Sequence, residues 1–195
     1  MADKDGRKEK NRGRIRIAAL ELFEKHGFKK VSVNDIADKA GVSPVTVYNN
    51  FGNKDELIRD VIKNLSTELL KKYEGIVRSD KPFPEKLDAI IFNKARVANL
   101  FQGELIQSVM NNDPEIYQFV VNFRRNEADK LILELFDEGK EQGYVSPGFS
   151  KDSILLYMEI LRQGIFAIPD FSERIKNKPN IMREIISLAV YGLSG

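Results

Sequence analysis

The sequence predicts an all-α protein. Apolar residues recur at helical spacing along nearly the whole chain, and no stretch alternates with period two for long enough to make a strand. Ser, Asn and Asp stand where the periodic runs begin, and glycines stand where several of them end.

The elements follow in order. Ile15, Ile17 to Ala19 and Leu22-Phe23 mark a first helix that Gly27 stops. Ser32 to Asp35 opens a second as a capping-box variant with Asp at its third position, and Val31 and Ile36 are spaced as a hydrophobic staple. This short helix, Val33 to Ala40, closes at Gly41. Ser43 is the next cap and Pro44 the first helical residue, where its missing N–H costs nothing. That third helix ends at Phe51-Gly52. Asn53 to Glu56 then caps a fourth and longer helix reaching about Val77. Arg78 to Pro84 is a turn-rich break, the one seam that composition marks. Beyond it helices are expected at about 85–100, 102–111, 114–142, 151–167 and 180–193. Asp113-Pro114 opens the long one and Gly143 closes it.

Composition removes several function classes. Among 195 residues there is no cysteine and one histidine, His26, so Cys-based metal or thiol chemistry is excluded and no His-rich metal site is expected. His26 suits the C-terminal end of the first helix, where the dipole favours a cation, better than a ligand role. No apolar run approaches the roughly 18 residues of a membrane span, and the charged start lacks a signal-peptide core. A cytoplasmic protein is expected. Net charge is only +2, yet Lys4, Arg7, Lys8, Lys10, Arg12, Arg14 and Arg16 crowd the first 16 residues against Asp3, Asp5 and Glu9. Such a basic arm suits a polyanion; the alternative is a disordered, solubilising tail.

The centre of the third helix is odd. Val45 to Asn50 are mediocre helix formers, yet strong caps flank them on both sides. Helices two and three are joined by Ala40-Gly41-Val42-Ser43, the short glycine-bearing connection of a helix-turn-helix spanning about residues 33–52. Ile36, Ala37, Ala40, Val42, Val47 and Phe51 make its inner face, which leaves Pro44, Val45, Thr46, Tyr48 and Asn49 outside. That outer face suits a major groove better than bulk water. Thr and Val methyls can meet thymine methyls, Asn can bond adenine and Tyr can reach a phosphate. Lys54 adds a cation, and the helix starts at Ser32 and Ser43 present N–H groups to phosphate. The third helix is chosen for what it touches, so caps and packing must hold it.

The run from Glu24 to Phe28, Val31 to Ala37, Ala40 to Ser43, Val47 to Phe51 and Lys54 to Leu57 resembles the DNA-binding domain of TetR/AcrR-type transcriptional regulators. The match covers about residues 12–58, many positions at the right spacing. It implies a helix-turn-helix domain over 1–58 and a helical effector-binding and dimerisation bundle over 59–195. It also implies a homodimer, a palindromic double-stranded operator and a small-molecule effector. By the family pattern Thr46 and Tyr48 fall on groove- and phosphate-facing positions and Lys54 on a phosphate contact. Val31 departs from the usual Thr, and Asn49-Asn50 from the commoner His-Tyr, so base preference does not carry over.

The second part of the chain says less. Ile116, Phe119, Val120, Phe123, Leu131 and Leu135 form an apolar stripe that runs through Glu127, with Arg124 beside it. A charge there is either the rim of a buried face or a pocket group with a partner. Arg96, Asn99, Tyr157 and Arg162 share that status as effector-contact candidates. Helix 151–167 has one apolar face in Leu155, Met158, Leu161 and Ile165, and another near Leu156, Ile160 and Gly164. With Ile185 and Leu188 of the last helix, the second face is either a two-fold interface or buried within one subunit. The leading expectation is a sequence-specific repressor released by a small molecule. The competing classes are a helical enzyme with an accessory DNA-binding head and a plain interaction module. No catalytic residue, metal ligand or cofactor is expected: the chain shows no phosphate-cradling glycine loop, ligand cluster or nucleophile–base pair.

Overall fold

The computed structural model describes residues 2–90 and 111–168, with scattered positions between 174 and 188. Its described residues form helices and connecting turns, without a strand. The helices are α1 (Ala2–His26), α2 (Val33–Ala40), α3 (Pro44–Phe51), α4 (Lys54–Val77), α5 (residues 83–90), α6 (Pro114–Phe123), α7 (Asp129–Glu141) and α8 (Lys151–Ala167). None among the described residues is long and apolar enough to cross a membrane.

Two cores organise the described residues. In the first, Ile15, Ala18, Ala19 and Phe23 line one side of α1, spaced as one helical face requires. They meet Ile36, Ala37 and Ala40 of α2, Val47 and Phe51 of α3, and Leu57, Ile58, Val61 and Ile62 of α4. One residue from far along the chain joins them: Ile116, on α6, is fully buried in this core. The second core gathers Val77, Phe83, Leu87, Leu131, Leu135, Phe136, Val145 and Ile154, with Met158 and Ile185 packed against it. Gly139 lies here because a Cβ would come within 2.8 Å of the Phe83 ring. α4 supplies residues to both cores, so the division at residue 58 falls inside a continuous helix.

The structure departs from two sequence expectations. The basic arm is not separate from the first helix, which runs unbroken from Ala2. Ala, Lys, Arg and Glu are good helix formers, and the arm's Glu9 pairs with Arg16 at 2.9 Å. The expected helix 114–142 is interrupted by a π-helical turn at Arg124–Ala128. A π turn slips the helix face by about one residue. Glu127 consequently lies exposed, off the apolar stripe that continues at Leu131 and Leu135.

Candidate nucleic-acid interface

α2 and α3 are held by their ends. The Asp35 N–H donates to Ser32 Oγ at 3.1 Å, and Asp35 Oδ2 accepts from the Ser32 N–H at 2.8 Å. The Ser32 hydroxyl, donating to Asp35 Oδ2 at 2.7 Å, and then the Ser32 N–H hold the Asp35 carboxyl below its ordinary range. Ser32 is exposed, but its N–H and hydroxyl are committed to this box rather than turned outward. Gly41 takes φ +63 and donates to the Ala37 and Asp38 carbonyls. Only glycine adopts that backbone without strain, and a Cβ would also lie 2.7 Å from Arg14 Nη2. Ser43 Oγ accepts the Thr46 N–H at 3.1 Å, and Pro44 follows as first helical residue.

These caps aim α3. Val47 and Phe51 point into the first core, 2% and 8% exposed. Val45 and Tyr48 face out at 65% and 50%, beside an exposed Asn49. Pro44 and Thr46 are half-buried, and the Thr46 hydroxyl is 2.9 Å from that of Ser43. Asn50 turns inward: its amide donates to the Thr46 carbonyl at 2.7 Å and its Oδ1 is buried. Of the two neighbouring asparagines, Asn49 faces outward and Asn50 does not. Lys54 is half-buried and donates to the Phe28 carbonyl at 2.6 Å. An ammonium has three donors, which leaves two for a phosphate.

The arm's cations divide. Arg7, Lys8, Lys10 and Arg14 are exposed, and Arg14 reaches the Gly41 carbonyl at 3.3 Å. Arg12 and Arg16 instead face Asp60 on α4. The Asp60 hydrogen bond, against a smaller opposing effect of burial, holds the Arg16 guanidinium proton more firmly than usual. One turn of α4 also grips α6. Arg59 Nε donates to Asp113 Oδ2 at 2.7 Å, and Glu115 forms an ion pair with Arg59 at 3.0 Å and accepts from Lys63 at 2.9 Å. Burial pushes the Asp113 carboxyl up, but the bonds from Arg59 and from the first N–H groups of α6 outweigh it, and the net shift is downward. Sequence reasoning missed both clusters. Their partners across elements lie 44 to 56 residues apart, and no local spacing signals such a pair.

The candidates in the second part are placed less completely. Arg96 and Asn99 lie outside the described residues, as does the side chain of Arg162 on α8. Arg124 pairs with Glu159 of α8, Glu127 is exposed and Tyr157 is 38% exposed. An open groove lined by Leu133, Glu134, Asp137, Glu138 and Lys151 contains none of these candidates. On α8 Leu156 and Ile160 stand out at 62% and 59%, and Gly164 beside them is exposed. Leu188 is 49% exposed, whereas Ile185 packs on the second core.

Residues 15–61 match the model of bacterial regulatory proteins of the tetR family. Over 161 residues the chain is 25% identical to the HTH-type transcriptional repressor KstR2 of Mycobacterium tuberculosis, covering 78% of each protein. Over 127 residues it is 36% identical to the uncharacterized HTH-type transcriptional regulator YvdT of Bacillus subtilis, covering 61% of this chain and 66% of that one. Its fold matches the transcriptional regulator FadR of Bacillus subtilis, solved in complex with stearoyl-CoA. The TM-score is 0.63 at 19% identity, over 92% of this chain and 98% of that one.

Proposed function

Because the chain belongs to the tetR family of bacterial regulatory proteins and is thus a DNA-binding regulator of transcription rather than an enzyme, we propose that it is a homodimeric cytoplasmic repressor of a palindromic operator. A small molecule held by its C-terminal helices releases it. The observation that carries this reading is the exposed Val45, Tyr48 and Asn49 face on a helix capped at both ends. Groove-directed methyl, phenol and amide groups give base edges and phosphates something to meet. Two relatives support repression and a small-molecule effector: KstR2 is a repressor, and FadR was solved with stearoyl-CoA.

Two heads must act together. The exposed Leu156, Ile160 and Leu188 would be covered by a second copy, bringing two α3 helices to half-sites about 34–36 Å apart. Release then needs only a change in that spacing. α4 is the element suited to transmit it, because its Arg59 and Lys63 hold the start of α6 and Ile116 sits in the head's core. An effector that favours another α6 position would tilt α4 and shift the population away from the operator-binding state. Selection of DNA fragments by the purified protein tests the whole reading. An inverted-repeat consensus is expected from the wild type, and Ile160→Asp should give monomers by light scattering that retain weak nonspecific binding only. A consensus without two-fold symmetry would sink the dimeric reading.

Phosphate and base contacts are expected to separate by salt. Lys54→Ala should weaken operator and random DNA alike and flatten the slope of log K against log salt by about 0.9. Asn49→Ala should leave the slope alone and relax preference at one base pair per half-site, losing about 1–3 kcal/mol for a bidentate contact. Binding titrations across salt concentrations check both. A Lys54→Ala variant with altered base preference and an unchanged slope would reverse these assignments.

A further inference from the structure

Arg12 lies in the basic arm, yet its guanidinium is turned away from solvent. Nη1 donates to the Asn50 carbonyl at 2.6 Å, Nη2 pairs with Asp60 Oδ1, and the guanidinium carbon stands 4.5 Å from the centre of the Phe51 ring. Arg16 completes the cluster, its Nε donating to Asp60 Oδ2 at 2.6 Å. The three charged side chains are 23%, 19% and 22% exposed, for Arg12, Arg16 and Asp60 respectively. The Asn50 carbonyl is one of the last four of α3, which have no partner within their own helix. A cation there is also favoured by the helix dipole. One side chain thus closes the C-terminal end of the recognition helix and ties it to α4.

We propose that Arg12 is a positioning residue for operator recognition: clamped to Asp60, it fixes the angle at which the α3 face meets the groove and makes no phosphate contact. The geometry explains why arginine is required. Only a fork of N–H groups can bond a carbonyl and a carboxylate in different directions while its plane covers an aromatic ring. Lysine would keep the charge and lose the grip. The proposal rests on the DNA-binding reading, and its test begins from a duplex that the wild-type chain has itself selected.

The full-length wild type, Arg12→Lys, Arg12→Ala, Asp60→Asn and the double variant Arg12→Ala/Asp60→Asn would be titrated with that operator and with a random duplex of equal length. Titrations would run across salt, below each variant's melting transition. Arg12→Lys is expected to lose roughly tenfold in operator affinity with random-DNA affinity and salt slope unchanged. Asp60→Asn should fall in the same direction, and the double variant should be little worse than either single one. The operator-to-random ratio is the readout that a merely structural loss would leave unmoved. The proposal is overturned if Arg12→Lys binds like the wild type while Arg12→Ala flattens the slope by about 0.9, which is phosphate behaviour. It is equally overturned if Asp60→Asn tightens binding to both duplexes, since arginines released from Asp60 would then be reaching phosphate. A wild type that selects no sequence would instead refute the DNA-binding reading itself.

Discussion

Phe51→Ala is expected to destabilise the head by about 3–5 kcal/mol, whereas Tyr48→Ala, one turn earlier, should leave the melting temperature almost unchanged and impair operator binding. Phe51 is 8% exposed and ends α3 against Val47 and the apolar sides of α1 and α4. Its removal leaves a cavity that capped helices cannot collapse into, and strips Arg12 of the ring beneath it. Tyr48 is half exposed, so truncating it uncovers little. Thr46→Ala should resemble Tyr48→Ala, with a small added cost because its hydroxyl meets that of Ser43. Thermal melts and operator titrations on the same preparations check this. Should Tyr48→Ala melt as early as Phe51→Ala, the orientation of α3 is wrong.

Glu138→Ala should cost a comparable amount in the other core. Lys86 is 3% exposed, and its ammonium lies 2.7 and 2.6 Å from the two Glu138 oxygens. Gln142 steadies that carboxylate at 2.7 Å and accepts the Phe83 N–H at 2.9 Å, at the start of α5. Removing the carboxylate leaves an ammonium inside an apolar cluster with no counter-charge, a loss of about 3–5 kcal/mol. Replacing both members, Lys86→Met with Glu138→Leu, should be neutral or stabilising, because the desolvation of two charges disappears along with their attraction. Urea unfolding followed by circular dichroism distinguishes the two. If Glu138→Ala costs under about 1 kcal/mol, water reaches Lys86 and the pair is not the buried one described.

Local chemistry was readable directly. The caps at Ser32, Ser43 and Asn53, the reversal at Gly41 and the inward Val47 and Phe51 depend on neighbours within four residues, and each stands where spacing placed it. The same locality made the exposed face of α3 legible, because a helix sorts its residues by a fixed angle. What spacing could not reveal was which partner each charge would find. Seven cations near the start of the chain are alike in sequence, yet Arg12 and Arg16 turn to Asp60 while Arg7, Lys8 and Lys10 remain in water. Likewise Glu127 sat on the stripe by counting and left it through the π turn. Ile116 reads as part of the second half and is buried in the first core. The all-helical class, the capped helix-turn-helix and its outward face were therefore determined by the sequence alone, through interactions a few residues long. The Arg12–Asp60 clamp, the grip of α4 on α6 and the burial of Lys86 against Glu138 were decided by the tertiary structure, because only packing brings together groups separated by 44 to 56 residues.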